Sequence, residues 1–130
     1  MLNPAMQPSN EFLTPEECAE VDKALLTSHD KFSTRVAVYA LRSLKQIAQA
    51  NGVPIVQLEP QQIEAWVYQD ESLQTGIDRE FRQFFSQLVI ASMKPLRQIA
   101  AAAGVPIEAI ELAQVINWFE QQAKLNLGNR

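Results

Sequence analysis

One cysteine and one histidine, Cys18 and His29, are all that 130 residues offer of the two side chains that dominate nucleophilic, general-base and metal chemistry. An activated nucleophile or a general base needs a partner within hydrogen-bond reach. His29 falls in the polar stretch Ser28-His29-Asp30, where a solvated or capping role is expected, and Cys18 falls on an apolar stripe, where it reads as a small buried hydrophobe. Zinc would need three or four ligands, and no Cys/His/carboxylate cluster or glycine-rich phosphate loop is present. Glu16, Glu17 and Glu20 are adjacent carboxylates, but a place in the first turns of a helix accounts for them. These absences predict a protein that is not an enzyme and carries no cofactor or metal.

Other shortages narrow the class. A lone cysteine cannot form an intramolecular disulfide, and the chain shows neither a leader pattern nor an apolar run approaching eighteen residues, so a cytoplasmic protein with no membrane partner is expected. Glycine is scarce, at four residues, and runs alternating apolar and polar residues with period two are missing, which argues against strands. The net charge of −4 argues against a protein coated for nucleic acid, although a local basic face is compatible with it.

What is present is helical. Met1 to Phe12 contain Pro4, Pro8, Asn3 and Asn10 without periodic apolar spacing and read as a loose arm, with a single domain over 13–130. Thr14-Pro15-Glu16-Glu17 combines an N-cap hydroxyl, a proline at the first helical position and a glutamate three residues after the cap. Cys18, Val21, Ala24 and Leu25 continue the first helix, which Ser28-His29-Asp30 is expected to interrupt. From Lys31 to Ala50, Phe32, Val36, Ala40, Leu44 and Ile47 line one face, and Lys31, Arg35, Arg42 and Lys45 fall in an arc of roughly 80° on the other. Asn51-Gly52-Val53-Pro54 ends that helix, Glu59-Pro60 begins another, and the polar stretch Gln69 to Gly76 closes it.

The pair then recurs with an offset of 52 residues. Leu44-Lys45-Gln46-Ile47-Ala48 returns as Leu96-Arg97-Gln98-Ile99-Ala100 and Gly52-Val53-Pro54-Ile55 as Gly104-Val105-Pro106-Ile107, with 13 of the 27 positions from Leu44 to Asp70 identical. Phe32, Val36, Val38 and Leu41 align in character with Phe84, Leu88, Ile90 and Met93, so the repeats span about 31–70 and 83–122. The expected architecture is all-α: about five helices, an N-terminal helix plus two helix-turn-helix pairs packed with pseudo-twofold symmetry. Pro95 stands where the first copy has Ser43 and predicts a kink, since it removes a backbone donor and crowds the carbonyl of Ala91.

The segment Gln98 to Ile107, with Ile99-Ala100, Gly104-Val105 and Ile110, resembles the helix-turn-helix of the LacI-type repressors, and Ile47, Ala48, Gly52, Val53 and Leu58 repeat the match. That resemblance implies a nucleic-acid-binding transcriptional regulator. The segment that would read bases, Ile107 to Asn117, departs from it by having no Lys or Arg while carrying Glu108 and Glu111, and Pro60 interrupts the equivalent segment in copy one. A Gly-Val-Pro turn between packed helices is the favoured reading.

Charge is segregated. Lys31 to Leu58 hold four basic residues and no acidic one, and Phe81 to Ile107 hold three basic residues and none acidic. Charge complementarity within the molecule or between subunits is one explanation; a pair of basic faces that steer an anionic partner is the other. Trp66 and Trp118 take equivalent places in the repeat, where filling the seam between pairs is favoured over anchoring a partner. The functional expectation is a non-enzymatic interaction module, an adaptor, assembly factor or regulator, that meets an acidic protein surface and forms a homodimer. Arg42, Lys45, Lys94, Arg97, Trp66 and Trp118 are its candidate contact residues. The cap itself is testable: Thr14→Ala should lower the stability measured by urea denaturation by about 1 kcal/mol.

Overall fold

The computed structural model describes residues 12–70, 73 and 79–128, and among them it is helical with no strand. Six α-helices, α1 (Pro15–Lys23), α2 (Ser28–Asn51), α3 (Pro60–Gln69), α4 (Arg79–Ala91), α5 (Met93–Ala103) and α6 (Leu112–Gly128), are joined with two single-turn 3₁₀ helices, Ile55–Gln57 and Ile107–Ala109. The arm assigned to residues 1–11 and most of the closing stretch after Asp70 lie outside the described residues. Phe12, placed by the sequence reading in that arm, is instead buried, with its ring 4.9 Å from that of Phe85 and 6.0 Å from that of Tyr39.

Local chemistry sets the helix ends. Thr14 Oγ1 accepts from Glu17 N at 3.2 Å while Glu17 Oε1 accepts from Thr14 N at 2.9 Å, the reciprocal capping box expected from the sequence. Ser28-His29-Asp30 does not interrupt a helix. Thr27 accepts from Asp30 N at 3.2 Å and caps α2, so these three residues are its first turn and the break lies at 24–27. Leu25, beyond the end of α1, is consequently 81% exposed rather than part of an apolar stripe. Gly52 and Gly104 take nearly the same left-handed conformation, φ 66° and 69°, which a side chain would resist. Glu59 N and Glu111 N each donate 2.7 Å to the glutamine three residues on, so turn, 3₁₀ helix and cap recur in register.

The 3₁₀ segments also correct the helix-turn-helix expectation. Where a recognition helix would follow the glycine directly, Ile107–Ala109 is a 3₁₀ turn, Ile110 is extended and α6 begins only at Leu112. Ile55, Ile107 and Ile110 are buried, and Glu108 Oε2 accepts from Ile55 N at 2.6 Å, so the two turns lie against one another while Val56, Gln57, Glu108 and Ala109 stay exposed.

Packing is organised around α2, which touches α1, α3, α4, α5 and α6 as well as both 3₁₀ turns. Val36, Ala37, Val38, Tyr39, Ala40 and Leu41 are six consecutive buried residues, so the helix is enclosed rather than one-sided. Its repeat counterpart is not. The counterpart is divided into α4 and α5 at Ser92, whose N–H donates to Leu88 O at 3.0 Å and Val89 O at 3.1 Å, because Pro95 offers no donor to the carbonyl of Ala91. This is the kink that Pro95 predicts. Phe84 is 58% exposed and Ile90 half-buried, although Val38, the mate of Ile90, is buried.

Burying Tyr39 requires a partner for its hydroxyl, and it donates to Asp70 Oδ2 at the end of α3. Arg82 closes the same end by donating to Val67 O at 3.0 Å and Asp70 O at 3.2 Å. Burial, then the hydrogen bond to Asp70, pushes the Tyr39 phenol well above its ordinary value of 10. The folded protein therefore holds this proton to higher pH than the unfolded chain, and the stabilisation is complete below about pH 10 and lost as pH rises through the folded value. Urea denaturation from pH 9 to 11 should show the wild type losing stability above pH 10 and Tyr39→Phe losing less, after a cost near neutrality of about 1 kcal/mol.

Candidate docking surface

Four of the six candidate contact residues lie on the two long helices, and the structure separates them by copy. In copy one the basic residues of α2 are satisfied from within. Arg42 makes a two-point ion pair with Glu17, Nε to Oε2 at 3.0 Å and an Nη to Oε1 at 3.2 Å, and also donates to Phe12 O at 2.9 Å. Its guanidinium lies 5.4 Å from the centroid of the Tyr39 ring. Lys45 Nζ donates to Ile110 O at 3.0 Å, Arg35 pairs with Asp22 at 3.2 Å and Lys31 donates to Asp22 O at 3.1 Å. The expected basic outer stripe of α2 is thus engaged from within the molecule, with Lys31, Arg35 and Arg42 meeting the acidic helix α1 and Lys45 meeting the carbonyl of Ile110. Of the two explanations for segregated charge, complementarity within the molecule holds for this copy.

In copy two the equivalent cations are free. Lys94 and Arg97 are exposed and make no salt bridge or side-chain hydrogen bond among the described residues. Trp66 and Trp118 are both partly buried against the core, in keeping with the seam-filling role. Their surroundings differ. Trp66 Nε1 is buried without a partner among the described residues, while Trp118 stands edge-on to Phe119, centroids 5.1 Å apart, in the wall of a groove.

That groove, of about 320 Å³, is bounded by Phe32 and Val36 of α2, Leu88 and Ala91 of α4, Pro95 of α5, and Trp118 and Phe119 of α6. Its lining is predominantly apolar. Phe84 lies one turn before Leu88 on the same face of α4 and extends the apolar surface, and Phe32 is itself 42% exposed. Sequence reasoning counted Phe32 as core and aligned Phe84 with it, so the exposed apolar side of copy two went unread. A signal was available, since Phe84, Leu88, Ala91 and Pro95 recur at intervals of three and four and form a stripe distinct from the buried Phe85, Val89 and Met93.

No chemistry of bond making is assembled here. Cys18 is buried, with its thiol pushed up by burial and then by Asp22, which disfavours the reactive thiolate. Among the described residues no group of three or more His, Cys, Asp or Glu is arranged to hold a metal ion, and no helix is long and apolar enough to cross a membrane. What the surface can do is bury apolar area against another protein.

Residues 13–126 match the family model described as NDH complex assembly factor CRR9. Neither the curated proteins nor the solved structures contain a match to the chain.

The contrast between copies is measurable. Arg42→Ala should cost about 2 kcal/mol in urea denaturation because Glu17 and Phe12 O lose a charged partner. Lys94→Ala, at the equivalent repeat position, should change stability by no more than about 0.5 kcal/mol.

Proposed function

The chain belongs to the family of NDH complex assembly factor CRR9, and on that premise we propose that it works without catalysis, by docking the α4–α6 groove on a protein of the NDH complex during assembly. The observation that carries this reading is the uncovered apolar band from Phe84 to Trp118. Scattered exposed apolar residues are normal, but a contiguous groove walled by two aromatic residues has the form of an interface core. Lys94, three residues on from Ala91, favours a partner surface that is acidic beside an apolar centre, and long-range attraction of that kind speeds encounter more than it tightens the complex. Binding of nucleic acid draws no support from the groove, whose described lining has no Lys or Arg, and the expected recognition segment opens with a 3₁₀ turn and carries Glu108 and Glu111. A second copy of the chain is the competing occupant of the groove.

Ala91 lines the groove and is exposed, and its helical position tolerates glutamate. Ala91→Glu should therefore abolish co-purification of NDH complex subunits from the native source while shifting the thermal midpoint by no more than a few degrees. Retained co-purification would remove the groove from the interface. Loss of a wild-type dimer in the variant, with co-purification intact, would assign the groove to self-association.

A further inference from the structure

Copy one shows what an α1-like helix needs from the helix beneath it. Glu17 reaches Arg42 while Asp22 reaches Arg35 and its carbonyl reaches Lys31, so α1 runs antiparallel along one stripe of α2. Between those charges α1 contributes the buried side chains Cys18 and Val21, and α2 contributes the buried Val38. The stripe beneath α1 is therefore Lys31, Arg35, Val38 and Arg42, an apolar centre with cations on both sides, and Lys45 continues it to the carbonyl of Ile110.

Adding the repeat offset of 52 gives Gln83, Gln87, Ile90, Lys94 and Arg97. These five residues fall on one stripe of α4–α5 at helical spacing. Among the described residues no helix lies over them: Gln83, Gln87, Lys94 and Arg97 are exposed and Ile90 is only half-buried. Apolar centre and two of the cations have been retained, and the covering helix has not. Its acidic neighbours lie at the end remote from Arg97: Glu64 of α3, whose Oε2 accepts from Gln87 Nε2 at 2.9 Å, and Glu80, one turn before Gln83 on α4.

We propose that the stripe Gln83–Gln87–Ile90–Lys94–Arg97 is a second seat of the α1 type, occupied by an acidic amphipathic helix of the partner protein. The proposal rests on the reading of this chain as a docking protein and gives the partner a chemistry. Its helix carries a carboxylate placed to meet Lys94 and Arg97, and a small or β-branched apolar pair one turn apart to cover Ile90, as Cys18 and Val21 are placed behind Glu17. The chain's own α1 is not the occupant. Its Glu17 carboxylate is already shared between Thr14 N and Arg42, and α1 also lies against α6. A second copy is disfavoured for the same reason, because its α1 is equally engaged.

The test uses the full chain, isotopically labelled, and a stapled helical peptide of residues 13–25 carrying Cys18→Ala as the probe. Titration should produce saturable amide shifts centred on Gln87, Ile90, Lys94 and Arg97. A peptide with Glu17→Gln should bind about threefold more weakly at low salt, as expected of one exposed ion pair, whereas Asp22→Asn, facing Gln83 and Gln87, should change little. The chain variants Lys94→Glu/Arg97→Glu and Lys94→Gln/Arg97→Gln should both lose the shifts with an unchanged helical circular dichroism spectrum.

Absence of saturable shifts overturns the proposal. So do shifts confined to α2 and α6, which mean exchange with the resident α1, shifts confined to the groove around Phe84 and Trp118, or shifts indifferent to the peptide's charge. Concentration-dependent changes at the same amides without peptide would hand the seat to a second copy and also overturn it. The two readings fail separately. A peptide that does not bind, with co-purification still lost in Ala91→Glu, leaves docking through the groove standing and removes only the helix seat. Peptide binding at α4–α5 with co-purification unaffected by Ala91→Glu does the reverse.

Discussion

Everything in this fold follows from enclosing α2. A helix buried at six consecutive positions cannot be served by one neighbour, so α1, α3, α4, α5 and α6 must all find places around it. Each polar atom trapped by that enclosure then needs a partner from another element. Tyr39 finds Asp70 at the end of α3, Arg42 finds Glu17 in the cap of α1, and Lys45 finds the carbonyl of Ile110 beyond the second turn. Thr34 is satisfied locally, donating to Asp30 O at 2.7 Å. These bonds fix which neighbour goes where, while the apolar contacts supply most of the stabilisation.

The parts legible in the sequence were those governed by neighbours along the chain. The Thr14–Glu17 box, the glycine C-caps at 52 and 104, the Pro60 helix start and the break caused by Pro95 all depend on residues within four positions of one another. The all-helical class follows from the same signals. Long-range placement was misread because four cations in an 80° arc were read as an outer face, whereas Lys31, Arg35 and Arg42 meet α1 and Lys45 meets the carbonyl of Ile110. A guanidinium can be largely buried if a carboxylate meets it at two points, and periodicity does not distinguish that from solvation. The uninterrupted run Val36 to Leu41 was the corrective, since a helix apolar on all sides belongs in the middle.

For the surface, the repeat was both guide and trap. It pairs Arg42 with Lys94 and Trp66 with Trp118, but likeness of sequence does not carry likeness of environment. One member of the first pair is tied to Glu17 and the other is exposed; one tryptophan has its indole nitrogen buried and the other lines a groove. The difference arises because only one long helix can occupy the centre. The other, α4–α5, lies at the periphery with an apolar side uncovered, and it is that inequality, together with membership in an assembly-factor family, that directs attention to α4–α6.

The backbone amide of Leu25 donates to Glu120 Oε2 at 3.0 Å across 95 residues of chain. Synthesis runs from the amino terminus, so α1 leaves the ribosome long before α6, one wall of its resting place, exists. At translation rates of roughly 5–20 residues per second, several seconds separate the two. Throughout that interval the amphipathic helix α1 and the half-covered α2 are a nascent chain without their closing piece, and α6 completes the packing of α1.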